Sequence, residues 1–129
     1  MTLQKTPSGG PMRLQTGKPD LRLPFQRLDV YVVAKELVRR VHQAKIRDRE
    51  LCDQATRAAK STFLRLCEGL PGDSAPMRRK YFNEANGSLH ETIAAMDLAA
   101  TIGAVSEADA GAVQELGFKL KRMLRALAH

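Results

Sequence analysis

Residues 51–69 read LCDQATRAAKSTFLRLCEG. At 100° per residue, Leu51, Ala55, Ala58, Ala59, Thr62 and Leu66 share one face, whereas Gln54, Arg57, Lys60, Ser61 and Leu64 fall largely on the other. That division predicts an amphipathic helix over residues 50–69. Its apolar stripe consists of small side chains for three turns, so a second helix can approach closely, and Gly69 offers the left-handed conformation at which a helix stops. Such a helix is stable only when its apolar face is covered, and the flanking sequence supplies the cover.

Upstream, Val30, Val33, Ala34, Leu37 and Val41 recur at helical spacing, with Tyr31 and Val38 widening the stripe, which predicts a helix over about residues 28–45. Downstream, Gly69-Leu70-Pro71-Gly72-Asp73 breaks the chain before a long helix over 74–102, capped by Asp73 or Ser74 and tolerant of Pro76 in its first turn. Met77, Tyr81, Ala85, Ser88, Thr92, Met96 and Ala99 lie on one line of that helix, with Leu89 and Ile93 beside them. Gly87 predicts a close helix contact, within the chain or between subunits. Ser106 with Asp109 resembles a capping box opening a last helix over 106–128, whose seam is Val113, Leu116, Leu120, Met123 and Leu127. Short connections between helices of comparable length make neighbours antiparallel. Residues 25–129 are therefore predicted to be an all-α, antiparallel up-down-up-down four-helix bundle.

Composition agrees: the 129 residues are 43% hydrophobic but only 5% aromatic, with no Trp, and suffice for one domain. Residues 1–24 hold four of the six prolines and four cations against Asp20, which predicts a flexible basic tail. Gly17-Lys18 does not make a phosphate loop, because Met12 stands at its first glycine position and Pro19 at its Ser/Thr position. Cys52 and Cys67, roughly 22 Å apart on one helix at 1.5 Å per residue, cannot bridge and are expected as free, buried thiols. No apolar run reaches the roughly 18 residues of a membrane span and no signal-peptide core is evident, so no membrane association is expected and the cytoplasm is the expected location.

The order of several short motifs resembles a known family. They are Leu28-Asp29-Val30-Tyr31, Gln54 followed by Arg57-Ala58-Ala59-Lys60-Ser61, Glu68-Gly69, Ala85-Asn86-Gly87-Ser88 with Glu91, and Met123-Leu124 with Leu127. Over about residues 25–127 the chain resembles the four-helix-bundle family named after proteins encoded in intervening sequences of bacterial large-subunit rRNA genes, which is similar to the accessory variability proteins of diversity-generating retroelements. Where that family usually has Asn-Ile-Ala-Glu-Gly, this chain has Arg65-Leu66-Cys67-Glu68-Gly69. The resemblance implies a homo-oligomeric, pentameric ring without enzymatic activity. In the retroelement relatives it implies a basic ring that binds nucleic acid and a reverse transcriptase.

Read by chemistry, the residues predict no cofactor and no metal. No Glu has a His three residues later, as a di-iron bundle needs, and the cysteines lack CxxC spacing or a paired His; His42, His90 and His129 are expected at the surface. Glu68, Glu84 and Glu91 border an apolar stripe, and their expected role is to pair with Arg57 or Arg65 and fix helix register rather than to do acid–base work.

Charge is sorted by the predicted topology. One pole collects Arg27, Arg65, Arg78, Arg79, Lys80, Lys119, Lys121, Arg122 and Arg125 against Asp29, Glu68, Asp73 and Glu84. The other has Arg39, Arg40, Lys45, Arg47 and Arg49 against Asp48, Glu50, Asp53, Asp97, Glu107 and Asp109. Cations ending the last helix suit its dipole, but Arg78-Arg79-Lys80 oppose theirs and stand beside free N–H groups, a place for a phosphate. Arg65, Arg78, Arg79, Lys80, Lys119, Lys121, Arg122 and Arg125 are thus the candidate nucleic-acid-binding residues of a non-enzymatic bundle, reading backbone and shape with Tyr81 and Phe82 the nearby aromatics. The alternative is a structural or protein-interaction module with no nucleic-acid role.

Overall fold

The computed structural model describes residues 19–70 and 74–128. The tail up to residue 18, the breaker residues Pro71 and Gly72, the cap candidate Asp73 and the terminal His129 lie outside the described residues. A 3-10 turn, Pro24–Arg27, leads into α1 (Asp29–Gln43), α2 (Arg49–Gly69), α3 (Ala75–Thr101) and α4 (Glu107–Leu127).

Each start has a local cause. The carboxylate of Asp48 accepts from the Leu51 N–H at 2.9 Å, the Ser74 hydroxyl from Met77 N–H at 3.3 Å and the Ser106 hydroxyl from Asp109 N–H at 3.1 Å, each satisfying a donor the helix leaves open. Helix α1 has no such side-chain cap; the 3-10 turn instead sets the entry, with Phe25 edge-on to Tyr31 at 5.5 Å. Helix α3 stops at Gly103, whose φ of +75° suits a residue without Cβ. There the Ala104 N–H donates to Ala99 O at 2.7 Å and the Gly103 N–H to Ala100 O at 3.1 Å, the paired bonds of a Schellman ending.

Among the described residues α1 packs on α2 and α4, and α3 packs on α2 and α4, while neither diagonal pair approaches. Named contacts give the directions. Ser61 shares a 2.8 Å hydrogen bond with Ser88 and Arg65 reaches Glu84 at 3.7 Å, so α2 and α3 run antiparallel. Lys121 lies near Asn86 and His90, and Gly117 against Ile93, so α3 and α4 do too. Arg40 meets Asp109 at 3.8 Å, and Arg47 N–H donates to Ala104 O at 2.7 Å, tying the α1–α2 loop to the α3–α4 loop. The result is the up-down-up-down bundle that the periodicities predict.

Its core is built from Leu37, Val41, Leu66, Phe82, Leu89, Met96, Val113, Leu120 and Leu124, each at most 2% exposed. The buried hydroxyls of Thr62 and Thr92 donate to the carbonyls of Ala58 and Ser88, one turn back, so their burial leaves no orphan donor.

Several finer expectations are corrected. Gly69 does not adopt the left-handed conformation; it is buried and helical, and a Cβ there would sit 2.7 Å from Phe82 Cε1. Its lack of a side chain makes the notch that receives Phe82. The core line of α3 accordingly passes through Phe82 rather than Tyr81, which is half-buried, and leaves Met77 46% exposed. In α4 the buried line is Val113, Gly117, Leu120 and Leu124, with Leu127 at the exposed edge, because Gly117 admits Ile93 and turns that face toward α3. Gly87 makes no close contact within the chain: a Cβ there would meet nothing within 4 Å. Cys52 and Cys67 are free but half-buried rather than buried; burial raises the Cys67 thiol above its usual pKa.

Candidate nucleic-acid interface

The contacts between helices also set the height of each cation. Gly69 is level with Tyr81 and Phe82, and by the Asn86–Lys121 and Ile93–Gly117 contacts the end of α4 is level with about the same turn. Residues 75–80 of α3 therefore overhang the ends of α2 and α4, carrying Arg78, Arg79 and Lys80 outward. Arg122 lies level with Asn86, about 12 Å along the axis from Arg78 at 1.5 Å per residue. The two share one half of the molecule. Lys119 and Lys121, however, stand near the middle of α3. The predicted cap at a pole is thus an elongated strip, running from the overhang down the seam between α3 and α4.

The two seams of α3 treat their cations differently. Between α2 and α3, the Arg65 guanidinium donates to Glu68 at 2.7 Å and lies 3.7 Å from Glu84. The Glu68 hydrogen bond, with the nearby carboxylate charges, raises its pKa further above neutrality. Arg65 is present at the predicted place but neutralised. It also supplies the cross-helix pairing expected of Arg57 or Arg65. Glu68 pairs with Arg65 along α2 and Glu84 meets the same guanidinium from α3, while Arg57 and Glu91 are exposed and form no ion pair among the described residues.

Between α3 and α4 the neighbours include no carboxylate. The Lys121 ammonium is 2.8 Å from His90 Nε2 and 3.5 Å from Asn86 Oδ1, half-buried between the helices. Arg79, Lys119, Arg122 and Arg125 are exposed and, with Lys121, make no ion pair with any described carboxylate. Lys80 sits 5.2 Å over the Tyr81 ring, and Arg122 lies 5.9 Å over the ring of Phe118. Arg78 is half-exposed on the overhang.

Phe118 is the residue that sequence reasoning passed over. It is 62% exposed, unlike Phe82, which is 2% exposed and unavailable for stacking. It lies three residues before Lys121 and four before Arg122, hence on adjoining positions of the α4 surface. An exposed aromatic beside unpaired cations is the arrangement that takes a base on its face and a phosphate beside it. The signal was in the sequence: Phe118 falls off the apolar line of α4, among Lys119, Lys121 and Arg122.

The same α3/α4 seam changes character towards the other end, where a groove of about 340 Å³ is lined by Met96, Asp97, Glu107 and Gln114 among others. Its two carboxylates disfavour an anion there. Among the described residues, no three His, Cys, Asp or Glu side chains gather as a metal site would require, and no helix is long and apolar enough to cross a membrane.

Residues 26–126 match the family described as 23S rRNA-intervening sequence protein. The chain belongs to this family. The match begins within the 3-10 turn and covers nearly all of the bundle, and so includes both seams of α3. The family is one of small helical proteins of unknown function and not a known enzyme class. No curated protein matches the chain.

Proposed function

We propose that the protein is a non-enzymatic, ring-forming helical bundle that holds RNA or DNA through phosphate contacts along the α3/α4 seam. One observation carries this reading: a strip of cations with no carboxylate partner among the described residues, from Arg79 on the overhang to Lys119, Lys121, Arg122 and Arg125 on α4, with the exposed ring of Phe118 next to Lys121 and Arg122. Cations left unpaired and solvated are the ones able to release counterions on meeting a phosphate backbone. The aromatic adds stacking that tolerates any base, so a single strand fits better than a duplex. Assembly into a pentameric ring would repeat the seam around an axis, multiplying weak contacts. Exposed apolar side chains such as Leu28, Val32, Leu98 and Ile102 offer surface for subunit contacts. A role beside a nucleic-acid-processing enzyme such as a reverse transcriptase fits a carrier without chemistry of its own.

A second reading rests on those same apolar side chains: a ring that presents a surface to a protein partner, with its charge incidental. Salt separates the two. Binding of a fluorescent single-stranded oligonucleotide is expected to weaken linearly in log–log form as salt rises, with a slope of about −0.7 per phosphate neutralised. Replacing Lys121 and Arg125 with Ala is expected to flatten that slope. Absence of binding at about 50 mM salt, where electrostatic contacts are strong, overturns the nucleic-acid reading in favour of the protein-partner one. The mass of the purified particle and its 260/280 nm absorbance ratio test the ring and its cargo.

A further inference from the structure

The closest polar contact across the α3/α4 seam joins two groups that can both be cations, and this constrains their protons. A lysine ammonium only donates, so at the 2.8 Å separation of Lys121 Nζ and His90 Nε2 the ring nitrogen must accept, with the imidazole neutral and its proton on Nδ1. Protonating Nε2 turns the acceptor into a donor and places two positive charges where the hydrogen bond was. The pair must then separate or admit an acceptor between them.

Little else near the ring can absorb that charge. From α4, Lys121 faces it, with Arg125 one turn further along; Glu115, exposed and six residues before Lys121, is the carboxylate of α4 nearest in height and forms no ion pair among the described residues. From α3 itself, Asn86 lies one turn before, Glu91 is exposed towards the α2 side and Asp97 is two turns away. No carboxylate pairs with either member among the described residues.

We propose that His90 and Lys121, with Asn86 holding the lysine, form a proton-linked site for one phosphodiester of a nucleic-acid strand. Two non-bridging oxygens of one phosphate can each accept from one of the two donors, which converts a repulsive pair into a clamp. Phosphate binding and protonation then assist each other by the same factor. Histidine is the side chain suited to such a switch between pH 5 and 8. The site rests on the nucleic-acid reading above and adds to it a location and a dependence on acidity.

The test uses the full chain and a short oligouridylate, whose phosphodiesters keep their charge between pH 5.5 and 8. Calorimetry in two buffers of different ionisation heat counts protons taken up on binding. Wild-type protein is expected to take up protons, and its affinity to rise as pH falls by at most about tenfold per pH unit, the limit for one linked proton. His90→Gln keeps an acceptor for Lys121 but cannot titrate; it is expected to abolish both the uptake and the pH dependence. His42→Gln, on α1 away from the seam, is expected to leave both in place. Uptake that persists undiminished in His90→Gln overturns the site, as does salt-sensitive wild-type binding that is flat in pH, and either result leaves the broader reading standing. Absence of any binding at low salt and pH 5.5 overturns the broader reading and the site together.

Discussion

Along α3, the seam with α2 and the seam with α4 each place a cation at nearly the same height: Arg65 beside Glu84, and Lys121 beside Asn86. Around Arg65 two carboxylates supply counter-charge from within the fold. Around Lys121 the neighbours are an imidazole and an amide, which orient the ammonium without neutralising it. A count of basic residues treats these cations as equal. What separates them is whether the fold already holds their partner, and only the second kind has charge to offer a ligand.

Breaking that contrast is the most direct test. Lys121→Glu with Arg125→Glu is expected to lower affinity for a single-stranded oligonucleotide about 100-fold at low salt, since two charge-assisted contacts become repulsions. Arg65→Ala is expected to change it less than about threefold, its charge being screened by partners it already has. Equal losses by fluorescence titration would show that the seams do not differ. The second test is of packing. Gly69→Ala drives a Cβ to 2.7 Å from Phe82 and 3.1 Å from Tyr81 Cβ at the tight α2/α3 crossing, at a cost of about 1–3 kcal/mol in urea unfolding. Gly117→Ala meets mainly the mobile end of Ile93 at 2.5 Å and should cost less. The reverse order would mean that the α3/α4 seam is the rigid one.

How far the sequence alone reaches follows from the same two seams. Small side chains at Ala55, Ala58, Ala59 and Thr62 gave a periodicity that fixes the buried face of α2 unaided, and the buried residues follow it. Helix α3 defeats the method by one position, because Tyr81 and Phe82 are adjacent and periodicity cannot choose between them. The choice is made by the notch at Gly69, on another helix. Gly117 is invisible to a hydropathy pattern for the same reason it matters: it contributes no side chain. Clustering of cations was legible from topology, but their pairing was not, since Glu84 meets Arg65 only once the helices settle into register. Phe118 falls outside the α4 seam, but the aromatics weighed from the sequence were only those adjoining Arg78-Arg79-Lys80, and its place beside Lys121 and Arg122 depends on α4 alone.

Gly87 sharpens the contrast from a third side of α3. It is exposed, mid-helix, with open space where its Cβ would be, so within one chain nothing requires a glycine. Gly87→Ala is expected to stabilise the isolated fold by about 0.5–1 kcal/mol through lost flexibility of the unfolded chain. If the variant instead melts at a lower temperature and the particle mass falls, the missing side chain serves a contact between subunits.

The smallest expected effect is also the most specific. Glu68→Gln combined with Glu84→Gln keeps the shapes and hydrogen-bonding oxygens around Arg65 but removes both negative charges that hold it. If counter-charge alone separates the two seams, the double variant should make the α2/α3 side resemble the α3/α4 side. Oligonucleotide affinity should then rise about threefold, with a salt slope steeper by up to about 0.7, the share of one further phosphate. Adding Arg65→Ala to that background should cancel the gain, whereas the same change in the wild type does almost nothing. This non-additivity is the signature of a cation silenced by its neighbours. A gain that survives loss of Arg65 would point to the general rise in positive charge, and the distinction between the seams would then rest on the total field rather than on local pairing.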